Sequence, residues 1–143
     1  MSRALLDVNI LLALLDSDHP DHIKATDWLG EYLPQGWASC AITENGFIRV
    51  ITQHRYSSPV SPAQAFSLLG NACGTEWHEF WPCDVSVTDP SALDFTRLHG
   101  SRQVTDAYLL ALAVRHDGAL VTLDRSISLA VVRGAKPDNL VII

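Results

Sequence analysis

Lysine is almost missing: Lys24 and Lys136 are the only two in 143 residues, and the other positive side chains are arginine. With a formal net charge of −6, the chain has no excess of positive charge for non-specific binding to nucleic acid. A local arginine rim stays open, and the planar guanidinium suits phosphate better than an ammonium does. Cysteine is sparse and odd in number. Cys40, Cys73 and Cys83 form no close-spaced metal motif, and the set fits reduced thiols in a cytoplasmic protein rather than a disulfide framework. The six histidines are scattered without ligand spacing. Long apolar runs are missing too. Val8 to Leu15 is far short of the roughly 20 residues that span a bilayer. Asp7 interrupts the first apolar run, which speaks against a leader peptide. There is no repeat, linker or low-complexity stretch. With 48% hydrophobic and 18% charged residues, the expectation is one compact domain over residues 1–143.

Strand-like and helix-like segments alternate along the chain. Arg3 to Leu6 reads as a short strand ending at Asp7, and Val8 to Leu15 as a helix buried on most faces. Asp21 to Leu33 reads as an amphipathic helix with Ile23, Ala25, Trp28, Leu29 and Leu33 inside. Pro34-Gln35-Gly36 breaks it. Trp37 to Ile42 is a second strand, after which Thr43 should cap a helix carrying Glu44 in its first turn. Ser61-Pro62 opens a helix to about Cys73. An edge strand is expected at His78 to Trp81, and Asp89-Pro90 should start a short helix ending near Gly100. Leu140 to Ile143 reads as a last strand. Such alternation predicts an α/β domain with a mainly parallel sheet.

The most informative stretch is Gln103 to Ser126. Thr105 is a candidate helix cap with Asp106 in the first turn. Ala107 to Val114 favours helix, and Asp117-Gly118 should end it, glycine taking the left-handed conformation. Ala119 to Leu123 suits a buried strand. A helix of roughly 12 residues advances about 18 Å, and a strand of roughly 5 residues returns about 17 Å. Asp106 and Asp124 should therefore meet at one sheet edge. Open α/β sheets place their sites at the carboxyl ends of the strands.

Asp7 ends the first strand and Glu44 follows the second, so four carboxylates are expected at that edge. They would repel one another unless a cation lay between them. Oxygen ligands alone suit Mg²⁺ or Mn²⁺, ions that activate water in phosphodiester hydrolysis. A plainer account exists for each acid alone. Glu44 and Asp106 are what any helix N-terminus favours, and the signal lies in the shared edge. Asn9 either bonds Asp7 or caps its helix. Thr122 and Arg125 flank Asp124, as substrate contacts or as lining. Arg49, Arg55, Arg97 and Arg102 read as solvated surface residues that could also approach phosphate. Trp28, Trp37, Trp77 and Trp81 read as packing residues.

LLDVNILLALL, AITENGFIRV, VTDAYLLALA and LVTLDRS, in that order, resemble a PIN-domain ribonuclease. More narrowly, they resemble the VapC toxins of bacterial toxin–antitoxin pairs. The resemblance covers nearly the whole chain. It implies a PIN-like three-layer sandwich, with helices flanking a mainly parallel sheet of about five strands. It implies a Mg²⁺- or Mn²⁺-dependent endoribonuclease leaving 5′-phosphate and 3′-hydroxyl ends, a VapB-like antitoxin that blocks the groove, and a homodimer. The family's acids fall on Asp7, Glu44, Asp106 and Asp124, with Asn9 at the polar position beyond the first. Asp7, Asp106 and Asp124 would ligate metal, and Glu44 would bind metal or orient the attacking water. Two rivals share the pattern. An aspartate-nucleophile phosphatase also places an acid after the first strand, but it wants a second Asp where Asn9 stands and a late lysine near the site, whereas Lys136 lies beyond Asp124. The other rival is a non-catalytic RNA- or protein-binding module of the same fold.

Overall fold

The computed structural model describes residues 2–143. Five parallel strands form one sheet: β1 (Ala4–Leu6), β2 (Trp37–Cys40), β3 (His78–Trp81), β4 (Ala119–Thr122) and β5 (Leu140–Ile142), in the order β3-β2-β1-β4-β5. The helices are α1 (Val8–Leu15), α2 (His22–Tyr32), α3 (Ala41–Ile51), α4 (Pro62–Cys73) and α5 (Gln103–Arg115). The registers Leu5 with Ala38 and Leu5 with Leu120 make β1 the central strand. All three of its residues are buried.

Alternation along the strands divides the core into two layers. Leu5, Ala38, Cys40 and Leu120 point to one face, where α5 covers them. Ala4, Leu6, Trp37 and Val121 point to the other, under α1, α3 and α4. Helices on both faces of a parallel sheet give the three-layer sandwich. The fold class read from the sequence is therefore the observed one. The strand order turns back between β1 and β4, and that is where a doubly wound sheet opens a crevice.

The expected elements recur, with four local corrections. Helix α3 begins at Ala41, so Cys40 is its cap residue. Thr43 lies inside the first turn, and its Oγ1 accepts from Cys40 N at 3.0 Å. Ile23 is 75% exposed. It lies two residues, about 200° around the helix, from Ala25, the buried centre of α2. No α-helix forms between Asp89 and Gly100. Asp89 Oδ1 accepts from the backbone and hydroxyl of Ser91 at 2.9 and 2.7 Å, a local turn that competes with helix. Leu93 bridges Val132 antiparallel, followed by a single 3-10 turn at Phe95–Arg97. Finally, α5 starts at Gln103, two residues before the expected Thr105 cap.

The end of α5 differs from expectation in an instructive way. Asp117, not Gly118, takes the positive φ of 52°, which Asp tolerates better than most residues. Gly118 is needed for space. A Cβ there would lie 2.5 Å from Trp81 Cη2 and 2.7 Å from the Arg3 carbonyl oxygen. That close corner lets α5 return directly into β4. Among the described residues, no helix is long and apolar enough to cross a membrane.

Candidate active site

Asp7 is the N-cap of α1, so one carboxylate serves both the strand end and the helix start. Its Oδ1 accepts from Val8 N at 2.7 Å, and its Oδ2 accepts from the Thr122 hydroxyl at 2.8 Å. Thr122, the last residue of β4, is fully buried and joins three groups. Besides donating to Asp7, its Oγ1 accepts from Asn9 Nδ2 at 3.2 Å and from Asp124 N at 3.0 Å. Asn9 Oδ1 in turn accepts from Leu123 N at 3.2 Å. Asn9 thus neither bonds Asp7 nor caps the helix; it pins the end of β4 to α1. The residue two positions on, where an aspartate-nucleophile phosphatase wants a second Asp, is an Asn bonded to the end of β4.

Asp124 stands just beyond β4, its Oδ1 accepting from the Ser126 backbone and hydroxyl at 2.8 and 2.7 Å. These bonds hold its carboxyl below the usual carboxylate range. Asp106, in the first turn of α5, faces both other aspartates. Burial first, then the charges of Asp7 and Asp124 and a hydrogen bond with Asp124, push its carboxyl up to about 6. Asp7 is also raised, chiefly by burial and further by Asp124, against the opposing pull of its two hydrogen bonds. The three carboxylates thus lie near enough at the switch point for their charges to act on one another. This donor set fits a hard divalent cation.

Clefts open on both sides of the trio. One, of about 200 Å³, is lined by Arg102, Asp106, Asp124 and Ser126 among others. The other, of about 620 Å³, is lined by Asp7, Asn45, Arg49 and Thr105 among others. Arg49 and Arg102 thus flank the acids. Arg97 pairs with Asp94 at 3.5 Å, and Arg55 bonds Gln53 at 3.4 Å, away from the site. Arg125 is exposed. Trp37 and Trp81 are core residues, and Trp28 stacks on Tyr32 at 4.7 Å. Trp77 is partly exposed.

Glu44 departs from expectation. It opens α3 at the predicted edge, but its carboxylate turns onto the sheet face that α3 and α4 cover. There Ser39 Oγ donates to Glu44 Oε2 at 2.6 Å and lies 2.7 Å from His78 Nε2. Cys73 completes this group. The charges raising Asp106 come from Asp7 and Asp124. The structure thus joins three of the four acids and separates the fourth. Sequence reading missed Ser39, Cys73 and His78 as a cluster. The five-residue step from Cys73 to His78 was the only local signal.

The chain's relatives agree with this architecture. A family model described as PIN domain matches residues 4–132. The chain is 59% identical over 138 residues to Ribonuclease VapC44 of Mycobacterium tuberculosis, covering 96% of this chain and 97% of that one. It is 41% identical over 127 residues to Ribonuclease VapC39 of the same organism, covering 87% and 91%. Among solved structures, VapBC2 from Rickettsia felis, bound to a DNA fragment from its promoter, superposes with a TM-score of 0.59 at 14% identity. It covers 98% of this chain and 96% of that one.

Proposed function

The chain belongs to the PIN-domain family, in its VapC branch, and from that premise we propose that it is a Mg²⁺- or Mn²⁺-dependent endoribonuclease toxin. The reading takes residues 1–143 as one PIN domain. The observation that carries it is the meeting of Asp7, Asp106 and Asp124 at the crevice between β1 and β4, with arginine-flanked clefts on either side.

In this reading the three aspartates hold the ion. When bound, it would polarise a phosphate and lower the pKa of a bound water. The protein's own part is preorganisation. Thr122 and Val8 N–H orient Asp7, Ser126 orients Asp124, and Asn9 keeps Thr122 in place. Arg49 and Arg102 offer guanidinium groups to the RNA backbone on either side. They compensate locally for a chain of net charge −6. Arg125, exposed beside Asp124, extends the same rim. Glu44 is left out of the ligand set because its carboxylate turns to Ser39 on the face that α3 and α4 cover, away from the three aspartates.

The VapBC complex among the neighbours supports a VapB-like antitoxin as partner, and the resemblance to VapC toxins implies a homodimer, growth arrest and a cytoplasmic setting. The decisive experiment uses protein freed of any antitoxin and an RNA pool with Mg²⁺ or Mn²⁺. Cleavage should stop in excess chelator, and Asp7→Asn should lower it about 10²-fold or more while remaining folded. Full activity in that variant or in chelator would refute the mechanism. Relief of growth arrest by a co-expressed small partner tests the toxin assignment separately.

A further inference from the structure

The cluster that captures Glu44 is not explained by the site above. Glu44 in the first turn of α3, Cys73 at the end of α4 and His78 at the start of β3 bring a carboxylate oxygen, a thiol sulfur and an imidazole nitrogen within 4.8 Å of one another. All three residues are partly buried, and Ser39 between them is fully buried. The His78 ring is held against Ser39 through Nε2 at 2.7 Å.

Ser39 Oγ lies 2.6 Å from Glu44 Oε2 and 2.7 Å from His78 Nε2, so one hydroxyl holds two of the three donors side by side. We propose that Glu44, Cys73 and His78 form a Zn²⁺ site with three protein ligands and one open position.

Tetrahedral zinc with bonds of 2.0–2.3 Å spaces its ligand atoms about 3.5 Å apart. Closing the cluster from its present separations takes side-chain shifts of about 1 Å. Thiolate and imidazole select zinc over magnesium, whereas the three aspartates at the crevice select a hard cation. The chain thus carries two sites that differ in both place and preference. The zinc staples the end of α4 and the start of β3 to the first turn of α3. It also holds Glu44 off the acidic edge.

The test uses the full chain, free of partner and stripped with chelator. Co²⁺ should bind one per chain and give a sulfur-to-cobalt charge-transfer band that Zn²⁺ abolishes stoichiometrically and Mg²⁺ does not. Cys73→Ser should lose the band, and His78→Gln should weaken binding roughly tenfold or more. Cys83→Ser and Asp106→Asn should leave it unchanged, which separates this site from the proposed nuclease centre. Zn²⁺ should raise the melting temperature of wild type but not of Cys73→Ser. No band in wild type, or a band that survives Cys73→Ser, would overturn the proposal.

Discussion

Replacing Asp106 by Asn should stabilise the metal-free protein at neutral pH, and the structure supplies the size of the effect. The Asp106 carboxyl is raised from an ordinary value of 3.8 to about 6 by burial and by the charges of Asp7 and Asp124. The folded state then holds this proton more tightly than the unfolded chain does. Between pH 4 and pH 6 the folded form binds more protons, so stability falls as pH rises through that window and levels off above it. The full cost would be about 3 kcal/mol. Asp106 is only half-buried, and solvent screening reduces this to about 1–2 kcal/mol. Asn carries no charge, and its amide can still donate to Asp124. At pH 7.5 in chelator, Asp106→Asn should therefore melt about 3–6 °C above wild type. At pH 4 the difference should nearly vanish. Mg²⁺ should reverse the order of gain. With a dissociation constant near 1 mM, 10 mM ion stabilises wild type by about 1.4 kcal/mol through mass action, and the variant gains less. Thermal scans at constant ionic strength keep general screening from imitating binding. Equal melting temperatures at pH 7.5 in chelator, with equal responses to Mg²⁺, would refute the electrostatic account of the trio.

Thr122→Val keeps the shape of a buried side chain but removes the hydroxyl shared by Asp7, Asn9 and Asp124. It should cost about 1–3 kcal/mol in denaturant unfolding and lower RNA cleavage by roughly 10–100-fold; a variant as stable and active as wild type would show that the network orients nothing. Gly118→Ala forces a Cβ against Trp81 and the Arg3 backbone and should destabilise by about 1–3 kcal/mol. Gly100→Ala meets nothing within 4 Å and serves as the neutral control in the same unfolding series.

The convergence of Asp7, Asp106 and Asp124 was legible because it depends only on rise per residue and on strand ends. Those quantities are insensitive to side-chain detail. The edge strand at His78–Trp81 was legible from the polar and aromatic character of its segment. Glu44 shows where such reasoning stops. Helical periodicity put it in the first turn of α3, but which side of that turn it used was decided by Ser39 and His78, on two different strands. The stretch from Asp89 to Gly100 was misread because Asp-Pro opens turns as readily as helices. Its backbone is spent on distant partners, Asp94 N on the Val131 carbonyl at 2.8 Å and Arg133 N on that of Ala92 at 2.9 Å. Ile23 is apolar, but its angular position on α2, opposite the buried Ala25, leaves it in solvent.

The hydroxyl bridge from Thr122 to Asp7 spans 115 residues, and this separation governs when the crevice can come into being. Leaving the ribosome amino end first, a growing chain can pair β1 with β2 early. It must then keep the other edge of β1 open until β4 has emerged. Throughout that interval Asp7 lacks Thr122, Asp106 lacks Asp124, and Asn9 has no strand end to hold. Closing so long a loop is also among the slower steps available to a fold of this size. Unfinished chains stalled before residue 119 therefore hold Asp7 without the Thr122 bond that fixes its carboxylate. Whatever chemistry the crevice performs is withheld until synthesis has passed Asp124.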